Sequence, residues 1–181
     1  LKARRDVDGL IKALSYQKNA GIRKHAADAL GELRDSHGVA ELIGSLSDPD
    51  WQVRLSAADA LGKLGGAQVV DPLSTVLMDN DVSVRAHAAE ALGKVGDDRA
   101  VASLIAALLD LDAHVRQSAA GALDNIGWQP GQDASSACYW IAKNEEAKCI
   151  EIGAPAVDPL IAALKDSNPD VRTNAAEALG Q

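Results

Sequence analysis

Side chains of the types that most often catalyse reactions or bind metals are few and scattered along this chain. It contains four histidines and two cysteines in 181 residues. No HExxH or GxSxG motif is present, and no histidine stands beside a cysteine as a base stands beside its nucleophile. The sequence therefore predicts no catalytic residue, no bound metal and no cofactor.

The two cysteines also argue against an oxidised or zinc-stabilised fold. Cys138 and Cys149 form no CxxC motif, and no histidine neighbours either of them. We expect them to be buried free thiols in a reducing compartment. No apolar run reaches the roughly 18 residues of a membrane-spanning helix, and no basic segment leads into a hydrophobic one, so we expect a soluble, cytoplasmic chain.

Charged residues do recur with a fixed spacing, as an aspartate six residues before an arginine. A carboxylate and a guanidinium can form two parallel hydrogen bonds, and an aspartate can also cap a helix start. Stacking would bring each aspartate near an arginine of its own or the neighbouring repeat, so we interpret the pairs as a structural ladder. The first arginine has Gln17 in place of the acid, which indicates an end unit. The pairs are Asp48 and Arg54, Asp79 and Arg85, Asp110 and Arg116, and Asp166 and Arg172.

Each arginine opens the same phrase, which indicates an internal repeat. Three of the copies read IRKHAADALGEL, VRLSAADALGKL and VRAHAAEALGKV. The first four copies open at evenly spaced arginines, which are Arg23, Arg54, Arg85 and Arg116, and the fifth opens later, at Arg172. A constant period of about 31 residues is typical of a stacked repeat protein. The late fifth copy indicates one interruption of the stack.

Apolar residues within each repeat follow the spacing of one helix face. Around Arg54 they are Val53, Ala57, Ala58 and Leu61, which share a face at 3.6 residues per turn. A second helix-sized phrase precedes each arginine, as in VVDPLSTVL before Arg85. The paired alanines should let helix axes approach closely.

The sequence thus predicts an all-α fold, an α-solenoid of about five antiparallel helix pairs in one domain over residues 1–181. An inserted segment holds three of the five aromatic residues, Trp128, Tyr139 and Trp140. We expect these rings to fill a gap in the stack, and a ligand-binding role is the alternative. Repeats are expected at about residues 3–34, 35–65, 66–96, 97–127 and 153–181, with a helical insertion at 128–152.

The phrase DxxxxxVRxxAAxALGxxG, preceded by AVxxLIxAL, resembles the HEAT-like repeats first described in phycobilisome bilin lyases. The resemblance implies a right-handed superhelix whose second helices line a concave face, and a non-enzymatic binding scaffold in most members. The alternative is a bilin lyase-like enzyme or cofactor chaperone, which needs a tetrapyrrole-sized pocket. A branch that binds two irons uses His-Glu pairs, and the carboxylate is missing here after His25 and His87.

Charge constrains the partner of such a scaffold. The formal net charge is -8, which argues against nucleic acid and anionic membranes, because both are bound through Lys and Arg. Acidic residues recur five positions after the arginine and should form a row of carboxylates on the concave face. This row favours a basic or polar protein or peptide, and a solvated face with local charge pairs is the alternative. The residues at this position are Asp28, Asp59, Glu90, Gly121 and Glu177.

Residues that differ between repeats mark the predicted contact area. Trp51 should be its centre, because an aromatic anchor with a polar rim is typical of a protein-binding hot spot. The alternative is that Trp51 folds over the end of a neighbouring first helix. The predicted partner-binding residues are Trp51, Leu55, Asp59, Val82, His87, Glu90 and His114.

Overall fold

The computed structural model describes the backbone of residues 2–181 and the side chains of residues 6–181. Over this range the regular elements are all helical, which confirms the predicted all-α solenoid. The handedness of its superhelix stays a prediction. The α-helices are α1 (Lys2–Leu14), α2 (Ala20–Leu33), α3 (Val39–Ser45), α4 (Trp51–Leu64), α5 (Val70–Val76), α6 (Val82–Val95), α7 (Val101–Ala107), α8 (Ala113–Ile126), α9 (Ala134–Ala142), α10 (Cys149–Ile152), α11 (Val157–Ala163) and α12 (Pro169–Leu179).

Each repeat pairs a first helix with a second helix across a short turn. In the third repeat, the 3-10 turn Ala67–Val69 leads into α5, and α6 follows. The carboxylate of Asp81 caps α6 by accepting the N–H groups of Ser83 and Val84 at 2.8 and 3.2 Å. Helix α6 ends at Gly96, whose φ of 69° is left-handed and favours glycine.

The residues that cap the second helices are not the aspartates of the Asp/Arg pairs. The helix caps lie two residues later, at Asp50, Asp81, Asp112 and Asn168. Asp48 instead accepts the N–H of Asp50 at 2.9 Å, so it shapes the turn before the helix. The carboxylate of the earlier aspartate is not used for the helix cap and can accept hydrogen bonds from an arginine.

A glycine eight residues after the arginine lies in tight contact with the next second helix. A methyl group on Gly62 would lie 2.8 Å from the Cα of Ala91, which is too close for any side chain. Gly31 has the same relation to Ala60, and Gly93 to Ala122. The alanines that we expected to permit close packing, such as Ala57, are fully buried, but the glycine sets the distance.

The buried core forms two clusters that meet at α9. One cluster runs through the first four repeats and includes Tyr139 and Ala142, while the other includes Ala137 and Ile141 and continues into α11 and α12. Trp140 is partly buried and packs against both clusters. Helix α9 therefore joins the last repeat to the rest of the stack.

The segment at residues 128–152 has the elements of a shortened helix pair. Helix α9 is followed by the 3-10 turn Glu146–Lys148 and the four-residue helix α10. Gly153, with a φ of 72°, ends this pair. Helix α9 packs against α8 and α11, and the 3-10 turn packs against α12, so this pair separates the fourth and last repeats on one side of the stack.

Candidate functional site

The turns that join the helices of each pair carry a chain of arginine and aspartate side chains. Arg54 donates from Nε and Nη2 to the carboxylate of Asp79 at 2.7 and 2.8 Å. Its Nη1 donates to the carbonyl oxygen of Asp48 at 2.9 Å. Each such arginine therefore ties its own turn to the turn of the following repeat, with the bidentate geometry that suits a guanidinium.

The same contacts occur at two other junctions of the regular stack. Arg23 binds Asp48, and Arg85 binds Asp110, with Nε to oxygen distances of 2.7 Å in both pairs. Burial of Asp110 works against its charged form, but hydrogen bonds from Arg85 and the backbone, together with the Arg85 charge, hold its pKa below the usual value. These carboxylates are therefore ionised at neutral pH.

The chain of pairs continues across the inserted segment. Arg116 donates from Nη2 to the carboxylate of Asp166, 50 residues later. Its Nη1 donates to the carbonyl oxygen of Asp110 at 2.9 Å, as in the other repeats. At this edge the fourth and last repeats meet directly, while α9 lies between α8 and α11 elsewhere. Residues 128–152 therefore form a wedge.

A second series of polar contacts runs along the second helices. An acid five residues after one arginine meets a polar residue two positions after the next. Nδ1 of His87 lies 2.9 Å from Oδ1 of Asp59, and Oγ of Ser118 lies 3.5 Å from Oε1 of Glu90. The structure thus brings together the predicted partner-binding residues Asp59 and His87.

The environment of His87 favours its charged form. The hydrogen bond with Asp59 raises the pKa of His87, burial opposes this, and the negative charges of Asp59 and Glu90 add to the increase. Lys94 acts in the opposite direction. His87 and Asp59 therefore form an ion pair when the imidazole is protonated and a hydrogen bond without an ion pair when it is neutral.

The other predicted partner-binding residues differ in their exposure. Trp51 is 43% exposed at the first position of α4, and Val82 is exposed at the same position of α6. Leu55 is partly buried and packs against the core. His114 is exposed near the start of α8, two second helices away from Trp51. These residues occupy successive repeats and do not form one compact cluster.

A shallow depression interrupts the row of acidic residues where glycine replaces the acid. A methyl group on Gly121 would meet no other atom within 4 Å. The space is about 330 Å³ and lies between α6 and α8, with Glu90, Lys94 and Ser118 on its wall. Reasoning from the sequence missed this depression, although the change to glycine was its signal.

The aromatic residues of the wedge pack on one another. The ring of Tyr139 lies 5.4 Å from Trp128 and 4.7 Å from Trp140, both edge to face. The Tyr139 hydroxyl donates to Asp124, and Lys143 donates to the same carboxylate at 2.7 Å. Burial, followed by the contact with Asp124, raises the pKa of Tyr139.

One acid of the wedge is buried without a full set of partners. Glu146 is 1% exposed. Its Oε2 accepts from Nδ2 of Asn174 at 3.2 Å, and its Oε1 has no hydrogen-bond partner. Burial raises the pKa of Glu146.

The chemistry available to the cysteines is limited. Both thiols are free, and Cys149 is buried with its Sγ 3.7 Å from the carbonyl oxygen of Ala137. Burial raises the pKa of Cys149 to about 11, so it is not a thiolate at neutral pH. In the described range, no group of three or more His, Cys, Asp or Glu is placed to hold a metal ion. No helix there is long and apolar enough to cross a membrane.

Comparison with known proteins identifies the repeats. Sequence models described as HEAT repeats match residues 7–82 and 70–138, and a further HEAT repeat model matches residues 156–181. These matches cover most of the chain, so it belongs to the HEAT repeat family. The comparison with curated proteins finds no match.

Solved structures show the same architecture. The complex of CpcE and CpcF of phycocyanin lyase from Nostoc sp. PCC7120 is similar, with 24% identity and a TM-score of 0.62 over 96% of this chain and 76% of that chain. An engineered protein aligns at 23% identity and a TM-score of 0.57, over 97% of this chain and 95% of that chain.

A designed armadillo repeat protein in complex with the peptide (KR)4 is also similar. It shares 17% identity with a TM-score of 0.54, over 96% of this chain and 98% of that chain. Similarity at these levels shows the fold, a helical repeat solenoid of the kind that commonly presents extended interaction surfaces.

Proposed function

We propose that this chain is a non-enzymatic scaffold that binds a basic, extended segment of a partner protein along its second helices. The observation that supports this most strongly is the acidic residue at the same position of successive second helices, in Asp28, Asp59 and Glu90. Such a row places one carboxylate on each of three successive second helices, and charge complementarity promotes both encounter and selectivity.

The contacts of these acids differ in how far they offset the carboxylate charge. Asp59 contacts His87, whose raised pKa favours an ion pair. Glu90 contacts the hydroxyl of Ser118, which carries no charge. By contrast, Asp28 forms an ion pair with Lys24 at 2.8 Å. Glu90 in the third repeat therefore has the least compensated charge of the three acids.

The spacing of the repeats suits an extended ligand. Packed helices lie roughly 8–10 Å apart, and the glycine contacts place these second helices toward the short end of that range. An extended chain advances about 3.3 Å per residue. A lysine or arginine at every second or third position would therefore meet one acid per repeat.

The test uses a fluorescein-labelled decapeptide of alternating lysine and serine and a matched peptide of glutamate and serine. Binding is measured by fluorescence anisotropy across a range of salt concentrations. We expect the Asp59→Asn, Glu90→Gln double variant to bind the basic peptide about tenfold more weakly, with a smaller salt dependence.

The control double variant is Asp71→Asn with Asp158→Asn, which removes two exposed acids from first helices. It should retain the affinity of the unmodified chain. If both double variants lose affinity equally, binding of the peptide depends only on the net charge of the chain, and the second-helix face is not the binding site.

A further inference from the structure

The three most exposed large apolar side chains in the described part of the chain lie close together. Leu111 is 95% exposed, Met78 is 84% exposed and Leu109 is 71% exposed. All three belong to the turns between the helices of the third and fourth repeats, and they line one groove. Clustered apolar exposure of this kind marks an interaction site more reliably than isolated exposed residues do.

The groove lies between the carboxyl ends of α5 and α7. Its volume is about 540 Å³, within the range of about 300–1,000 Å³ that is typical of ligand-binding clefts. Leu77 and Ala107 are buried in its floor, and small residues such as Ser74 and Ser103 line it without filling it. It can therefore accept apolar side chains from outside.

The apolar side chains are not needed for stacking. The position before the ladder aspartate is Met78 in the third repeat and Leu109 in the fourth, whereas it is Ser47 in the second and Lys165 in the last. Yet each of these four aspartates binds the arginine of the preceding repeat. The groove is therefore a local feature of two repeats.

The residue that follows the ladder aspartate also differs between repeats. Leu111 stands there in the fourth repeat, and the other repeats have Pro49, Asn80 and Ser167. Leu111 therefore adds a large, flexible apolar side chain that Pro49, Asn80 and Ser167 do not provide.

Charge around the groove selects the kind of ligand. Arg85 is the cation that lines it, and its Nε and Nη2 donate to Asp110 while its Nη1 donates to the carbonyl oxygens of Asp79 and Asn80. Its donors are thus already engaged. The carboxylates of Asp79 and Asp110 also lie in the lining, where Arg54 and Arg85 bind them. A negatively charged ligand would find no unpaired cation there.

A second copy of the chain fits this groove poorly. Each chain carries a formal charge of -8, so two copies repel each other. A basic segment meets the opposite situation, because its charges complement the net charge of the chain.

We propose that this groove is a docking site for a short peptide segment with two apolar side chains flanked by lysine or arginine. The apolar side chains insert between Met78, Leu109 and Leu111, and the basic residues lie at the rim of the groove, where the net negative charge of the chain attracts them. The groove is formed by turns and first helices, so this site is separate from the second-helix face and does not depend on the function proposed for that face.

The probe is a fluorescein-labelled peptide of sequence Lys-Leu-Lys-Lys-Leu-Lys. Two matched peptides replace the leucines by serine or the lysines by glutamate. Fluorescence anisotropy with the full chain should give at least tenfold tighter binding of the first peptide than of either matched peptide. Equal binding of the serine peptide would overturn the proposal, because the site would then recognise charge alone.

The variant that tests the location is Met78→Ser with Leu111→Ser. Both side chains are exposed, so the fold should be retained, which circular dichroism and the melting temperature would verify. We expect this variant to lose at least tenfold in affinity. The conservative variant Met78→Leu should retain binding, since it keeps the apolar volume.

The matched control is Ile161→Ser with Leu164→Ser, which removes two exposed apolar side chains from the last repeat. It should bind as the unmodified chain does. Equal losses in the control and the groove variant would overturn the proposal. Sedimentation velocity provides a further arm: a dimer that dissociates in the groove variant would identify the groove as an interface between copies and also overturn it.

Discussion

The junction between the third and fourth repeats and the junction between the fourth and last repeats are built differently. At the first, Arg85 binds Asp110 and Gly93 packs against Ala122. At the second, Arg116 binds Asp166, but the wedge separates the helices. The ion pair between repeats can therefore form without the glycine contact.

One residue marks this difference in the sequence. The position eight residues after the arginine is glycine in the first three repeats and Asp124 in the fourth. Asp124 accepts hydrogen bonds from Tyr139 and Lys143 of the wedge. Glycine is required at this position where the next second helix packs directly against it. Where the wedge packs there instead, the carboxylate of Asp124 binds the wedge.

The largest expected effect is at the ion pair beside the wedge. Arg116→Ala leaves the largely buried carboxylate of Asp166 without its arginine, which should destabilise the last repeat by about 3 kcal/mol. Hydrogen exchange should show faster opening of α11 and α12 while α2 to α6 stay protected.

The control for this change is Arg172→Ala. Arg172 donates to the carbonyl oxygens of Asp166 and Ser167 in its own turn, so its loss should have a smaller effect. Uniform loss of protection over all helices in Arg116→Ala would show that the wedge couples the repeats as tightly as direct packing does.

The next effect separates two glycines within helices. Gly93→Ala places a methyl group 2.7 Å from the Cα of Ala122, and overpacking should destabilise the chain by about 2 kcal/mol. Gly121→Ala meets open space and should stabilise it by about 1 kcal/mol through helix propensity. Urea unfolding measures both, and a shared sign would contradict the assignment of Gly93 as the close contact.

A smaller effect is expected inside the wedge. The pKa of Glu146 is raised by burial, so the folded state holds this proton more tightly than the unfolded state does. Stability from this group is then present at low pH and is lost as pH rises from the unfolded pKa to the folded pKa. Glu146→Gln should stabilise the chain by about 1 kcal/mol at pH 7 and have little effect near pH 3.

Glu151→Gln is the matched control for this prediction, because Glu151 is an exposed acid of the neighbouring helix α10. It should leave stability unchanged at both pH values. Thermal unfolding at pH 3 and pH 7 makes the comparison, and an equal gain from Glu146→Gln at both would show that charge is not its cause.

The smallest effect concerns the regular stack. His87 has a raised pKa because of Asp59, so the charged contact contributes below about pH 6.5, the unfolded value, and is lost as pH rises through the folded value. The pair is partly exposed, and after allowance for solvent screening it should be worth about 0.5 kcal/mol. Titration by NMR should show the His87 pKa falling in Asp59→Asn. An unchanged pKa would contradict this contact.

Periodicity was sufficient to predict the fold. A repeat period of about 31 residues with helical apolar spacing allows few architectures other than stacked helix pairs, because each pair must bury its apolar face against the next. The spacing of the Asp/Arg pairs in the sequence did not show which repeat supplies the aspartate that each arginine binds. In the structure, each of the first four arginines binds the carboxylate of the following repeat and the backbone of its own turn, as Arg54 does.

Tertiary features were harder to obtain from the sequence. The role of Gly62 depends on which residue of a neighbouring helix faces it, and the groove at Met78 and Leu111 depends on the relation between two turns. In the sequence, Gly62 stands at a constant position of the first three repeats, and Met78 and Leu111 differ from their counterparts in other repeats. The contacts that these residues make follow only from the way the repeats stack. Trp51 and its neighbours remain proposals of the sequence that binding experiments must test.

The contact between Arg116 and Asp166 has a consequence for the order of folding. Ladder contacts in the regular stack join residues 25 apart, whereas this one joins residues 50 apart. Doubling a closed loop adds about 0.6 kcal/mol of entropic cost. The first four repeats should therefore assemble before the last, which joins when the aromatic rings of the wedge have packed.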